Sequence, residues 1–234
     1  VSDGKEILSA PLRLNVWRAP LANELDGWNA YSAGAPRSSG YGSIGHSNTL
    51  ASHYYSAGLD NLGQVVASVS ARTFEGGAAV DVRELILLGG GRGETRQLDQ
   101  YISGMSFDGF ESIWSYIVYG DGRVNIRHTV KPHGTMPPYL PRIGITFVLD
   151  GSLSNVQWYG RGPQANYPDR KSGYRIGIWN TTVEDMYEPY LIPQEYGLRT
   201  DNRWVRMTDS DGKGVEFSVD QLFNFNAYPY TTDN

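Results

Sequence analysis

The sequence predicts an all-β protein, a large antiparallel sandwich of roughly ten strands with one short helix. Three observations carry this. Apolar and polar residues alternate with a period of two through most of the chain beyond Leu62, in runs rich in β-branched and aromatic residues. The 28 Gly and 12 Pro among 234 residues make up about 17%, where roughly 12% is ordinary, and aromatic residues reach 12% with 16 Tyr, so turns and half-buried rings are both abundant. Only one stretch has the spacing of an amphipathic helix, too few for alternating βα units.

Taken in order, residues 1–10 read as the end of a preceding linker and 11–234 as a single domain. Val1-Ser2-Asp3-Gly4-Lys5-Glu6 has neither the basic nor the apolar stretch of a signal peptide, and the chain is expected to be cut from something longer. Residues 15–58 are irregular, with Gly, Ser, Ala and Pro clustered over 32–45, except for a helix predicted near 48–57. There Leu50, His53, Tyr54 and Ala57 fall at i, i+3, i+4 and i+7, and Gly58 is placed to cap the end. Strands are predicted at 65–74, 79–87, 113–119 and 124–130, divided by turns such as Glu75-Gly76-Gly77 and Gly120-Asp121-Gly122. Further strands follow at 143–149, 156–159, 204–208 and 215–219, the last two joined by a loop holding Asp211-Gly212.

Charge and composition exclude several functions. With 20 Lys and Arg against 25 Asp and Glu the net charge is −5, which offers no basic field for a nucleic-acid backbone. No apolar run approaches the roughly 18 residues of a membrane helix, so neither nucleic acid nor membrane is an expected partner. The absence of Cys removes disulfides and thiolate ligands. The compartment, cytoplasmic or periplasmic, stays open.

Catalytic patterns are scarce. Gly89-Gly90-Gly91-Arg92-Gly93 lacks the Lys-Ser/Thr and helix of a phosphate loop and reads as a hairpin loop. His46, His53, His128 and His133 have no metal-ligand spacing. His128 shares a strand face with Val124, Ile126 and Val130 and is expected to be a hydrogen-bonded sheet histidine, whereas His133, between Pro132 and Gly134, reads as a solvated turn residue. Glu184, Asp185, Glu188 and Glu195 alternate with Tyr187, Pro189 and Tyr190, and nothing in their spacing holds two of them as a glycosidase pair, so they read as solvated loop acids. Asn180-Thr181-Thr182 fits the glycosylation pattern, which recurs by chance at this length.

The segment Trp158-Tyr159-Gly160-Arg161-Gly162-Pro163 with Asn166-Tyr167-Pro168-Asp169-Arg170 is of another kind. Rings and planar hydrogen-bonding groups suit a sugar, but the same residues could pack into a loop that satisfies its own backbone, with Gly160 and Gly162 turning the chain and Asp169 pairing with Arg161 or Arg170. Both readings stay open on residue types alone.

Three ordered blocks give a resemblance. Trp17-Arg18-Ala19-Pro20-Leu21-Ala22-Asn23-Glu24 resembles the W-R-A-P-T-D-N-D signature that opens the C-terminal domain of large bacterial β-galactosidases of glycoside hydrolase family 2. Residues 159–170 are similar to that domain's Y-G-x-G-P-x-E-N-Y-x-D-R block. Tyr190-Leu191-Ile192-Pro193-Gln194-Glu195-Tyr196-Gly197-Leu198-Arg199 with Asp201, Arg203 and Trp204 is similar to its P-Y-x-x-P-Q-E-N-G-x-R-x-D-x-R-W block. Ala22, Glu24, Ala165 and Tyr196 depart from these patterns, so contacts made there in relatives do not carry over. Residues 225–232 look like the family's F-S-A-x-x-Y-T strand, after which such domains continue, and a truncation before the native end is expected.

The resemblance implies a β-supersandwich of the galactose mutarotase-like type, from a retaining enzyme that hydrolyses terminal non-reducing β-D-galactose residues. It implies that the catalytic Glu pair, with magnesium and sodium, lies in a barrel domain outside this chain, leaving the chain inactive alone and without cofactors of its own. Trp17, Arg18, Asn23, Tyr159, Arg161, Asn166, Tyr167, Asp169 and Arg170 form the substrate-edge or structural signature. Expected partners are the parent's other domains, a β-galactoside at the domain edge and, for the parent, further copies of itself. A carbohydrate-binding module and an aldose 1-epimerase are the alternatives, the latter requiring a His and a carboxylate in the concave face to move protons at the anomeric centre.

Overall fold

The computed structural model describes residues 6–21, 24, 49–90, 106–191 and 194–230. These form an all-β protein with antiparallel sheets and one short α-helix. No helix among them is long and apolar enough to cross a membrane. The chain divides into two compact units, a central one of residues Leu14–Gly144 and a terminal one of Val1–Arg13 with Ile145–Asn234.

In the central unit, helix α1 (Leu50–Ser56) starts at Thr49, whose hydroxyl accepts from the Ser52 amide. This side-chain oxygen satisfies one of the donors a helix start leaves orphaned, and Gly58, at φ +70°, turns the chain just beyond the C-cap Ala57. Four antiparallel strands follow, β2 (Gly63–Phe74), β3 (Gly77–Leu87), β4 (Gly109–Tyr119) and β5 (Val124–His133), in the order β2-β3-β4-β5. Ile86 and Phe110, opposite each other on β3 and β4, pack with Leu14, Val16, Tyr54 and Leu59 into its core. The β4–β5 hairpin pairs Ile113 with Thr129 and Val118 with Val124, and Gly122 takes φ +89° in its turn.

β1 (Leu8–Asn15), which belongs to the terminal unit except for its last two residues, pairs with β6 (Gly144–Leu149) in a two-stranded sheet. In the terminal unit, β7 (Asn155–Gly162), β8 (Arg175–Thr182), β9 (Arg199–Thr208) and β10 (Gly214–Phe225) form a further sheet in the order β10-β9-β7-β8. Trp158, Val156, Val205 and Met207 bury one face of this sheet, with Met186 from a 3-10 turn at Glu184–Met186 and Ile7 and Leu149 packed against them. Phe147 on β6 meets Phe217 on β10 at 4.9 Å between ring centres, giving a sandwich-like core within the unit.

Two strands were not expected. β1 begins inside the stretch read as linker, although Leu8, Ala10, Leu12 and Leu14 alternate with polar neighbours and Pro11. β8 lies at a sheet edge and exposes Ile176 and Ile178, so its outward residues are no more polar than its inward ones.

Candidate functional site

The block that the sequence singles out is the end of β7 and the loop that follows. Gly160 and Gly162 lie in the strand, not in a turn. Their missing side chains make room. A Cβ on Gly162 would come within 2.7 Å of the Trp179 ring and 2.9 Å of the Trp158 ring, and one on Gly160 within 2.0 Å of Asn202 Oδ1. The indoles use the backbone exposed there: Trp158 Nε1 donates to the Arg161 carbonyl at 3.0 Å and Trp179 Nε1 to the Gly160 carbonyl at 3.2 Å. This corrects the expectation that these glycines serve a tight turn, since the close approach of two large rings at Gly162 and of Asn202 at Gly160 is what excludes a side chain. A cis Gly162-Pro163 bond ends the strand.

Arg161 organises the loop. Its Nη1 donates to the Lys171 and Tyr174 carbonyls at 3.1 and 2.8 Å, and its Nε to Asp201 Oδ2 at 2.6 Å. Lys171 Nζ binds the same carboxylate at 2.9 and 3.1 Å. Asp201 thus holds two cations from a left-handed backbone conformation, φ +55°. The Arg161 and Lys171 side chains hold its carboxyl below the usual carboxylate range. The expected pairing of Asp169 with Arg161 or Arg170 does not form. Asp169 is exposed and makes no ion pair among the described residues, because the Arg161 fork points across to β9. Arg170 instead sits 5.4 Å from the Tyr167 ring centre.

Asn166 is fully buried and crosses from the loop to β9. Its amide nitrogen donates to the Leu198 carbonyl at 2.8 Å, its Nδ2 to the Gln164 carbonyl at 3.0 Å, and its Oδ1 accepts from Thr200 N and Oγ1 at 3.1 and 2.5 Å. Tyr167 donates to the Glu195 carbonyl at 3.4 Å. Glu195 is only 5% exposed, and its Oε1 accepts from Asn226 Nδ2 at 3.3 Å, which corrects its reading as a solvated acid. Glu184 and Asp185 are exposed, as expected. Tyr159 points away from the core, on the outer face of β7.

The opening signature belongs to the central unit. Arg18 and Glu24 form a two-pronged ion pair at 2.7 and 2.8 Å. The same carboxylate accepts from the Leu21 amide at 2.8 Å and the Tyr54 hydroxyl at 3.1 Å. Burial, with the neighbouring Glu24 charge, pushes the Tyr54 hydroxyl up to about 12. Trp17 packs edge-on to Tyr55 at 5.0 Å. Asn23 and His46, with Gly91, Arg92 and Gly93 of the glycine run, lie outside the described residues.

His128 is a hydrogen-bonded sheet residue. Its ring stacks on Trp114 at 3.5 Å and its Nε2 meets Ser112 Oγ at 2.9 Å, and burial lowers its pKa to about 4. Trp114 Nε1 donates to the buried Glu84 at 3.0 Å. His133 is not in a turn: it ends β5, bonds the Phe107 carbonyl at 2.8 Å and stacks on the Phe107 ring. Among the described residues no three His, Asp or Glu side chains are grouped to hold a metal ion.

The family described as β-galactosidase small chain matches residues 1–234. A β-galactosidase of Priestia megaterium is 38% identical over 117 residues, covering 50% of this chain and 11% of that protein. One of Vibrio cholerae is 29% identical over 205 residues, covering 88% and 17%, and one of Actinobacillus pleuropneumoniae is 25% identical over 231 residues, covering 98% and 18%. The chain therefore spans less than a fifth of the length of these relatives.

Proposed function

From the premise that the chain belongs to the β-galactosidase small-chain family, we propose that it is a bracing and substrate-edge domain of a retaining β-galactosidase acting on terminal non-reducing β-D-galactose residues. The family match along the full 234 residues carries this reading. The local chemistry agrees with it. Arg161, Lys171 and Asp201 spend their charges on one another and on backbone carbonyls, and Asn166 spends all its hydrogen bonds on the loop and β9. These groups fix a loop and have no capacity left to move a proton at a substrate. The catalytic carboxylates, and the magnesium and sodium ions implied for them, are assigned to the remainder of the parent polypeptide. Arg161, Asn166 and Tyr167 act as positioning residues, Asp169 and Arg170 shape the loop surface, and Trp17 and Arg18 brace the opening segment.

The test is hydrolysis of a nitrophenyl β-galactoside by the isolated chain and by the intact polypeptide that carries it. The intact polypeptide is expected to turn over and the isolated chain to be inert. Turnover by the isolated chain that is lost on Glu184→Gln or Glu188→Gln would overturn the assignment of catalysis elsewhere, and an inert intact polypeptide would overturn the β-galactosidase reading.

A further inference from the structure

Arg199, the first residue of β9, is the exception to the spent charges around it. It is only 4% exposed. Among the described residues it makes one hydrogen bond, from Nη1 to the Gly197 carbonyl at 3.1 Å, and its buried Nε has no partner at all. The guanidinium carbon stands 5.3 Å from the Trp158 ring centre. An aromatic face attracts a cation but gives its N–H groups no oxygen to bond. Burial pushes Arg199 below its ordinary value.

The neighbouring acids do not supply the missing partner. Asp201 is taken by Arg161 and Lys171, and Glu195 accepts from Asn226. Glu188 acts on Arg199 electrostatically, yet forms no ion pair with it. A buried charge is ordinarily paired, because taking it out of water costs more than the fold recovers without a counter-ion. A trapped water would satisfy Nε and leave the charge uncompensated. The donors that remain, Nε and Nη2, form one edge of the planar group, the fork that meets the two oxygens of a carboxylate. A second cation borders the same place. Arg170 is exposed, lies 5.4 Å from the Tyr167 ring centre and is in no ion pair among the described residues. The Tyr167 and Tyr174 hydroxyls are within electrostatic reach of both guanidiniums.

We propose that Arg199 is a carboxylate-binding site, taking the two oxygens on its Nε–Nη2 edge, with Arg170 and the Tyr174 hydroxyl at the rim. The carboxylate has two sources, a small free anion or an Asp or Glu side chain of the parent polypeptide outside residues 1–234. Both meet the same fork. The site does not depend on the function proposed above, since a galactoside carries no charge and gives a buried guanidinium nothing to neutralise it.

The test is thermal unfolding and tryptophan fluorescence of the 234-residue chain in sodium acetate, compared with sodium chloride at equal ionic strength and neutral pH. Acetate should raise the Tm with the logarithm of its concentration once the site fills, and should change the emission of Trp158 beside Arg199. Arg199→Met should abolish both responses. Arg199→Lys keeps the charge without the fork and should weaken acetate binding about tenfold. Arg175→Ala, an exposed arginine on β8, should leave the response unchanged. If Arg199→Met does not fold, Arg199→Lys carries the test. The same titration of the intact polypeptide separates the sources: an acetate response there identifies a free anion, and no response with a Tm lowered by Arg199→Met identifies a side chain of the parent. The proposal is overturned if the chain behaves alike in acetate and chloride, if Arg199→Met or Arg199→Lys retains the full response, or if Arg175→Ala removes it. A Tm in chloride that falls on Arg199→Met while acetate does nothing marks a purely structural arginine and also overturns it. None of these failures touches the family reading, which hydrolysis tests separately.

Discussion

Two aspartates separate the loop as read from its residues from the loop as folded. Asp169 sits in the motif and is exposed; Asp201 lies far along the chain and carries the ion pairs. Because Arg161 and Asp201 are both largely buried, with side-chain exposures of 22% and 15%, Asp201→Ala should cost on the order of 2–3 kcal/mol by stranding a cation. Asp169→Ala should cost under about 0.5 kcal/mol, and urea denaturation of the two variants distinguishes them. The Asp201 carboxyl is held below its ordinary value, first by Arg161 and then by Lys171. Its contribution is therefore complete above the unfolded value near 4 and is lost as the pH falls through the lower folded value. Asp201→Asn should flatten acid unfolding in that range. His128 runs in the same direction at higher pH. Its folded pKa of about 4 lies below the ordinary 6.5, so the unfolded chain binds the extra proton between these values and stability falls as pH drops from about 6.5 to 4. Denaturation at several pH values should show a shallower fall for His128→Gln, and an unchanged slope would remove His128 from the account.

At the scale of elements, alternation made most strands legible because one face of each sheet is buried and the other is wetter. The Ile113–Tyr119 alternation, answered by that of Val124–Val130 across Gly120-Asp121-Gly122, is found as the β4–β5 hairpin. β1 was lost because its alternation is small and contains Pro11, and β8 because an edge strand with exposed Ile176 and Ile178 shows no contrast between faces. The glycine motif was visible, but its cause was not: the partners of Gly160 and Gly162 are Asn202 and Trp179, which no local pattern reveals. Glycines in the two settings should respond differently to alanine. Gly122 has open space around its missing Cβ but a φ of +89°, so Gly122→Ala should cost about 1 kcal/mol from backbone strain alone. Gly160→Ala drives a methyl into Asn202 and should cost more, on the order of 2–3 kcal/mol. Thermal or urea unfolding ranks them, and a reversed order would contradict the packing explanation.

For the whole molecule, family membership was readable because three motif blocks occur in order: the first forms the Arg18–Glu24 clasp in the central unit, and the second and third are joined in the terminal one by the Arg161–Asp201 and Asn166–Thr200 bonds. Glu24, a departure from the family's usual acid, still closes the clasp because its carboxylate reaches both Arg18 and Tyr54. What the motifs could not show is that their polar groups are consumed internally, a fact of partners distant in sequence. The central claim is that this chain braces a β-galactosidase whose catalytic groups lie elsewhere in the polypeptide. The most direct measurement is nitrophenyl β-galactoside hydrolysis by the intact polypeptide with and without residues 1–234, alongside the Asp201→Ala form. The account predicts that removal abolishes turnover and that Asp201→Ala lowers the temperature at which turnover is lost while leaving the KM at low temperature near its original value. Full activity and unchanged heat resistance after removal of the segment would contradict it.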